Sequence, residues 1–116
     1  MKATLILILS FLSLTMQAQT WTATYYGDKY KTRRHTANGD WFHKDSLTCA
    51  SMNHKFGTRL KVTNPQNGKS VVVKVNDRGR FAHNNIDLSW GAFGLIAEHK
   101  LGRIKVIVET IKSNDL

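Results

Sequence analysis

The segment Thr58-Arg-Leu-Lys-Val-Thr-Asn-Pro-Gln-Asn-Gly-Lys-Ser-Val-Val-Val-Lys-Val75 carries the clearest structural signal in the chain. Its first part, residues 58–63, alternates polar and apolar side chains, as a half-buried β-strand does. Residues 64–68 follow with a proline and an Asn-Gly pair, both of which are typical of tight turns. Residues 70–75 are rich in valine, so the whole segment predicts a β-hairpin.

Three more segments on either side of this hairpin have the composition of short strands. Residues 20–26 are β-branched and aromatic, residues 47–51 form a short apolar run, and residues 103–111 alternate over the longest stretch. Such runs, bounded by turn residues, are typical of strands. We expect residues 103–111 to form a central strand that closes the sheet.

One short helix is predicted after residue 88. Ser89 is a suitable N-cap, and Trp90, Phe93 and Ala97 follow it at helical spacing. Gly91 and Gly94 weaken the pattern, because glycine is a poor helix former. Several short strands with one helix predict a mainly β fold, arranged as a small closed or partly open barrel.

The N-terminal residues 1–18 have the layout of a secretory signal peptide. Lys2 precedes an uncharged stretch rich in Leu and Ile, which ends at Ala18, a small residue suited to cleavage before Gln19. The alternative is an uncleaved anchor helix, for which the stretch is short. We therefore expect a secreted, periplasmic or cell-envelope protein without stable membrane insertion, a domain over residues 19–112 and a frayed end over 113–116. Because Cys49 is the single cysteine, no lipid-attachment cysteine lies near the cleavage site.

Composition narrows the class of partner. The 116 residues suffice for one small domain, and 17 Lys and Arg against 8 Asp and Glu give a formal net charge of +9. Such a charge suits nucleic acid, anionic lipid or an anionic wall polymer, and export makes nucleic acid the least favoured. One cysteine excludes an intrachain disulfide, and the five histidines show no metal-ligand spacing, so we predict neither metal nor cofactor.

Two polar loops contain the residues suited to chemistry, Thr36–Phe42 and Val75–Phe81. Asp77 follows a buried-looking strand and is flanked by glycine and arginine. A carboxyl group partly desolvated at such a position would have a raised pKa, as a general acid requires. The alternative is that Asp77 caps a turn and pairs with Arg78 or Arg80.

A series of blocks in order along the chain resembles the rare lipoprotein A family. The blocks are Tyr25-Tyr-Gly27, Thr36-Ala-Asn-Gly-Asp40, Leu47-Thr-Cys-Ala50, Phe56-Gly-Thr58, Val62-Thr-Asn64, Asn67-Gly-Lys-Ser-Val71, Asn76-Asp-Arg-Gly79 and Ile86-Asp-Leu-Ser89. The resemblance implies a six-stranded double-psi β-barrel with one or two short helices, as in expansins and barwin-like proteins. It also implies lytic cleavage of the peptidoglycan bond between N-acetylmuramic acid and N-acetylglucosamine, leaving 1,6-anhydro-muramoyl ends.

The resemblance also implies roles for individual residues. Asp77 is the leading acid/base candidate, and Asp40 is its partner or a charge stabiliser, although the family usually has a glutamate there. Ser51 stands where the family has a histidine, and His43 where it often has an aspartate. Candidates for binding the sugar are Tyr26, Trp41, His43, Ser51, His54 and Arg78.

Simpler structural interpretations stand beside these roles. The alternatives are that His54 is a solvated loop histidine and that Asp87 caps the helix or pairs across the barrel. We interpret Cys49 as a buried thiol rather than a nucleophile. Tyr25 and Phe42 could stack on sugar faces or belong to the core.

The leading hypothesis is therefore a monomeric peptidoglycan lytic transglycosylase acting on glycan strands. The main alternative is a noncatalytic, expansin-like module that binds or loosens the wall, which the replacements at Asp40 and Ser51 favour. A small exported inhibitor or toxin with a barwin-like barrel has little support, because the disulfide cysteines of such proteins are absent.

Overall fold

In the computed structural model, residues 19–26, 35–79 and 84–112 are described here. They form six strands, one α-helix and one 3₁₀ turn. In chain order these are β1 (Gln19–Tyr26), β2 (Thr48–Ala50), β3 (Arg59–Thr63), β4 (Ser70–Asp77), β5 (Asn85–Ser89), α1 (Trp90–Ile96), the 3₁₀ turn (His99–Leu101) and β6 (Ile104–Ile111). The predicted signal peptide at 1–18, residues 27–34 and 80–83, and the predicted frayed end at 113–116 lie outside the described residues.

The six strands close into a barrel in the order β1-β5-β2-β4-β3-β6. Two neighbouring pairs, β1 with β5 and β2 with β4, are parallel, and the other four are antiparallel. The predicted hairpin is confirmed as β3 and β4, with Leu60 opposite Val73 and Val62 opposite Val71. β6 pairs with both β1 and β3, so residues near 103–111 do close the sheet, as predicted.

The core fills the barrel interior with side chains from alternate strand positions. Val71, Val73 and Val75 of β4 point inward, and the intervening Val72 is exposed, since successive strand residues face opposite sides. The other buried apolar side chains are Trp21, Ala23, Cys49, Leu60, Val62, Ile86, Leu88, Ala92, Phe93, Ile96 and Val106. This period-2 burial fixes which side chains each strand presents on the outer face.

The predicted N-cap is confirmed at Ser89, whose Oγ accepts a hydrogen bond from Ala92 N at 3.1 Å. The helix ends at Ile96, so Ala97 is its C-cap rather than a helical residue. The amides of Asn64 and Asn67 both donate to the Ile96 carbonyl, at 2.8 and 2.9 Å. The hairpin turn therefore satisfies a carbonyl that the helix end would otherwise leave without a partner.

The sequence did not predict β5, which continues without a turn into α1. Its first four residues alternate in burial, with Ile86 and Leu88 inward and Asp87 between them, and Ser89 at its end is also buried. The strand is stabilised by neighbours on both sides, β1 and β2. Its existence depends on those distant partners rather than on a strong local propensity.

Candidate active site

A row of four side chains crosses the outer face of the barrel, one from each of four adjacent strands. Thr24 of β1 pairs with Asp87 of β5, Asp87 with Ala50 of β2, and Ala50 with Asp77 of β4. Paired residues on neighbouring strands share a face of the sheet. The two carboxyl groups therefore lie on one face, separated by the small methyl group of Ala50.

A β-bulge near the end of β4 sets the direction of this row. Cys49 pairs with Val75, but Ala50 pairs with Asp77, so Asn76 is an extra residue in β4. Bulges of this kind reorient side chains and are frequent beside active sites. Here the bulge keeps Val75 in the core, buries Asn76 and leaves Asp77 half-buried at the surface.

The turn at residues 36–40 is fastened to this end of β4. Asn38 N donates to the Asn76 carbonyl at 3.2 Å, and Ala37 N donates to Asp77 Oδ1 at 3.0 Å. The turn closes on Gly39, whose φ of 95° favours glycine. Local turn chemistry and two bonds to β4 thus bring Asp40 to the same end of the strand as Asp77.

Asp77 is held by main-chain donors rather than by an arginine. Its Oδ1 accepts hydrogen bonds from Ala37 N and from Arg78 N, the latter at 2.9 Å. Within the described ranges, Oδ2 has no hydrogen-bond partner and Asp77 makes no ion pair. The alternative that Asp77 pairs with the Arg78 guanidinium is therefore wrong, and Arg80 lies outside the described residues.

Asp40 is positioned by two amides and a lysine. Its Oδ2 accepts from Asn38 Nδ2 at 3.1 Å and from Asn76 Nδ2 at 3.4 Å, and Lys74 Nζ lies 3.9 Å away. These contacts fix the direction in which the carboxylate points. Asp40 is thus suited to stabilise positive charge on a bound sugar.

Asp87 is the acidic residue whose place in this row the sequence analysis did not foresee. It does not cap the helix, and its Oδ1 accepts a hydrogen bond from Thr24 Oγ1 at 2.8 Å. Burial raises the pKa of Asp87 above its usual 3.8; the Thr24 hydrogen bond opposes this rise, and the charge of Asp77 adds to it. The alternation Ile86-Asp87-Leu88 could have indicated this position, because it places the aspartate on the outer face of a strand whose two neighbouring side chains point into the core.

The aromatic candidates Trp41 and Tyr26 each contact another ring within residues 35–42. Trp41 is 61% exposed and stacks on His35 with ring centroids 4.1 Å apart, so its outer face is open to a sugar ring. Tyr26 packs 5.5 Å from the Phe42 ring, and burial raises the pKa of its phenol. Its hydroxyl is buried, and hydrogen bonding with Thr48 opposes this rise.

The remaining sugar-binding candidates divide into two groups. Ser51, His54 and Arg78 form one connected cluster, since Arg78 Nη1 donates to the Ser51 carbonyl and Ser51 Oγ lies 2.9 Å from His54 Nδ1. Arg78 also stacks over Phe56, 3.8 Å from the ring centroid. His43 is exposed in the next turn, where its Nδ1 accepts a hydrogen bond from Asp45 N at 3.2 Å. Among the described residues, no hydrogen bond joins its side chain to Ser51, His54 or Arg78.

Cys49 and Tyr25 are structural residues. Cys49 is fully buried, and burial, followed by the charge of Asp87, raises the pKa of its thiol to about 12. This confirms the buried thiol, because the nucleophilic form of cysteine is the thiolate. Tyr25 packs against the core, with its ring centroid 4.7 Å from that of Phe93.

Residues 19–26, 35–79 and 84–112 contain no group of three or more His, Cys, Asp or Glu arranged to hold a metal ion. In the same residues no helix is both long and apolar enough to cross a membrane.

Comparison with known families and relatives gives one consistent result. The sequence profile of a family described as lytic transglycolase matches residues 18–108. A probable endolytic peptidoglycan transglycosylase RlpA of Synechocystis is 46% identical over 91 residues, which are 78% of this chain and 28% of that protein. The endolytic peptidoglycan transglycosylase RlpA of Rickettsia bellii is 43% identical over 95 residues, 78% of this chain and 41% of that protein. The chain therefore spans less than half the length of these two curated relatives.

Solved structures agree on the fold. The Streptomyces papain inhibitor has a TM-score of 0.69 at 22% identity, covering 83% of this chain and 96% of that one. An expansin of Clavibacter michiganensis has a TM-score of 0.69 at 24% identity, covering 84% of this chain and 52% of the expansin. These likenesses confirm the double-psi barrel.

Proposed function

The chain belongs to the lytic transglycolase family, and on this premise we propose that it cleaves peptidoglycan glycan strands as a lytic transglycosylase. The bond cleaved is the β-1,4 bond from N-acetylmuramic acid to N-acetylglucosamine. One product ends in 1,6-anhydro-muramic acid. Because peptidoglycan lies outside the cytoplasmic membrane, the site of action is extracytoplasmic, in agreement with the signal peptide proposed for residues 1–18.

The observation that carries this proposal is the joint placement of Asp77 and Asp40 at the bulged end of β4. Asp77 Oδ1 is fixed by two N–H groups, which leaves Oδ2 for proton transfer. Asp40 is oriented from the adjoining turn through Asn38 and Asn76. Groups fixed in this way need little rearrangement during the reaction.

We assign the proton transfers to Asp77. In its protonated form it donates a proton to the glycosidic oxygen, and the bond from that oxygen to C1 of the muramoyl residue breaks. The muramoyl O6 then bonds to C1, and its hydroxyl proton returns to Asp77, so no water is consumed. Asp40 stabilises the positive charge that develops at C1.

Trp41 and Arg78 are suited to hold the glycan on either side of the carboxylates. The exposed face of Trp41 can stack on a sugar ring. Arg78 keeps its guanidinium off the Asp77 carboxylate, because it is bound to the Ser51 carbonyl and stacked on Phe56.

The test is mass spectrometry of purified sacculi digested with the wild type and with Asp77→Asn. We expect anhydro-ended fragments from the wild type and a loss of about 10²-fold or more in the variant, since general acid–base catalysis contributes about that much. Asp45→Asn is the matched control, because Asp45 is an exposed acid in a neighbouring turn and should leave the products unchanged.

Other products would overturn the proposal in recognisable ways. Soluble fragments ending in reducing sugars would indicate hydrolysis instead of lytic cleavage. Binding to sacculi without any product would favour the noncatalytic, expansin-like alternative.

A further inference from the structure

Ser51 connects the candidate acid to a histidine through both its main chain and its side chain. The residue is fully buried just after β2. Its N–H donates to the Asp77 carbonyl at 3.2 Å, and its carbonyl accepts from Arg78 Nη1 at 2.9 Å. Its Oγ accepts from Asn53 N at 3.2 Å and lies 2.9 Å from His54 Nδ1.

This arrangement fixes the tautomer of His54. A fully buried hydroxyl must donate its hydrogen to an acceptor, because an unsatisfied buried donor is costly. In the structure as described, the acceptor within reach of Ser51 Oγ is His54 Nδ1. Nδ1 is therefore the unprotonated nitrogen, and the ring hydrogen is on Nε2.

The surroundings of the ring agree with a neutral imidazole. Burial, followed by the positive charge of Arg78, lowers the pKa of His54 below its usual 6.5. The other groups facing the ring are the Trp21 indole, whose centroid lies 5.5 Å away, and the Ser51 hydroxyl. His54 is thus a loop histidine that is bonded to Ser51 and partly enclosed.

The Nε2–H group has no hydrogen-bond partner among the residues that the structure describes. Because the side chain is half-buried, this donor is held in place yet reachable from solvent. A neutral N–H group suits an uncharged acceptor, such as an N-acetyl carbonyl or a sugar hydroxyl, better than it suits a carboxylate. A carboxylate of the substrate would be bound better by the charged guanidinium of Arg78.

We propose that His54 binds an uncharged glycan oxygen through Nε2–H beside Asp77, and that Ser51 is the positioning residue that fixes this tautomer. The proposal rests on the proposed function, because it names a contact to the same glycan. Ser51 acts only through His54, and neither residue takes part in the proton transfers.

The first measurement is the tautomer itself, by long-range ¹H–¹⁵N NMR of the histidine rings in the free, full-length protein. We expect His54 of the wild type to be in the Nε2–H form at neutral pH. In Ser51→Ala the ring should become a mixture of tautomers. A wild-type ring protonated on Nδ1, or a Ser51→Ala spectrum identical to wild type, would overturn the proposal.

The second measurement is binding of a stem-free N-acetylglucosamine–N-acetylmuramic acid tetrasaccharide in an Asp77→Asn background, where nothing is cleaved. The loss of one neutral hydrogen bond in His54→Leu should weaken binding about 3- to 10-fold, and His54→Gln, which keeps an N–H donor, should stay within about 2-fold. Ser51→Ala should weaken binding only while His54 is present, a coupling that a double-mutant cycle measures. The exposed neighbour Lys55→Gln is the control and should bind like the parent.

These readouts separate the two proposals. If a folded His54→Leu variant binds as tightly as its parent, the His54 contact is wrong and the transglycosylase proposal is unaffected. If the parent does not bind the tetrasaccharide and the wild type yields no products from sacculi, the proposed function fails, and the His54 contact fails with it.

Discussion

The three carboxyl groups near the end of β4 differ in what surrounds them. Asp77 accepts two main-chain hydrogen bonds, and Asp40 has two amides and Lys74 nearby. Asp87 is more enclosed, with the single hydroxyl of Thr24 as its donor. Of the three, Asp87 is the carboxyl group whose pKa burial raises.

Asp87→Asn should raise the melting temperature at pH 7. Burial favours the neutral acid, so the folded protein binds this proton more tightly than the unfolded chain does, and ionised Asp87 lowers stability at neutral pH. This loss of stability disappears as the pH falls through the folded-state pKa to below about 3.8, because Asp87 is then protonated in both states. The difference in melting temperature between Asp87→Asn and the wild type should therefore shrink as the pH falls. The introduced amide keeps an oxygen that can accept from Thr24.

Thermal unfolding at about pH 7 and about pH 3 measures this effect. Asp45→Asn, at an exposed position, serves as the control and should not change the melting temperature at either pH. A destabilised Asp87→Asn variant at pH 7, or an advantage that does not change with pH, would contradict the explanation.

At the scale of single elements, helix α1 shows why two glycines that are poor helix formers are nevertheless required. A Cβ added at Gly91 would lie 2.8 Å from Asp45 Cα, because the helix approaches the main chain of the preceding loop. Gly91 N also donates to the Lys44 carbonyl at 2.8 Å. At Gly94 the obstacle is the His99 ring, which is stacked on Trp90. Helix propensity predicts that these glycines lower the stability of the helix, but it does not reveal the contacts that require them.

Gly91→Ala should therefore destabilise the protein by about 1–3 kcal/mol, as overpacking typically does. Intrinsic propensity alone would favour alanine by about 1 kcal/mol, so the sign of the change distinguishes close packing from helix propensity. Urea unfolding gives the difference in free energy. Leu95→Ala, at a position 55% exposed in the same helix, should change stability by less than about 0.5 kcal/mol. Stabilisation by Gly91→Ala would show that the loop moves away freely.

The sequence was most informative where local signals were strong. Residues 58–75 predicted the hairpin, and Ser89 predicted the helix start, because turn and cap residues act locally. β5 was missed, since its pairing depends on β1 and β2 rather than on its own five residues. The same limit affected the site: Asp77 and Asp40 could be named, whereas the bulge at Asn76 and the position of Asp87 depend on register between distant strands.

On the scale of the whole molecule, the positive charge bears on what the barrel surface can bind. Arg59 of β3 lies directly opposite Lys74 of β4, which is 3.9 Å from Asp40, and Lys61 of β3 lies opposite Glu109 of β6. Arg59 and Lys61 are both exposed on this outer face, where an anionic polymer can reach them. With a formal net charge of +9, the protein is suited to an acidic wall surface.

Binding to purified sacculi should therefore weaken as salt rises from about 0.1 to about 1 M, over which the screening length falls from about 10 to about 3 Å. Binding of an uncharged N-acetylglucosamine oligomer should change little over the same range. A sedimentation assay with Arg59→Gln and Lys61→Gln, compared with Leu101→Gln as an exposed uncharged control, tests the contribution of this face. Sacculus binding that does not depend on salt would show that the glycan contacts dominate.

The pairing of β1 has a consequence for how the barrel is assembled. Both neighbours of β1, β5 and β6, come from the last third of the chain, with Thr22 opposite Asn85 and Ala23 opposite Ile104. During synthesis the first strand therefore has nothing to pair with until nearly all the others have been made. Such high contact order slows folding, because long loops must close before these contacts can form. A barrel built in this way cannot close until its last strands have been made, so closure is a late step that joins the two ends of the sequence.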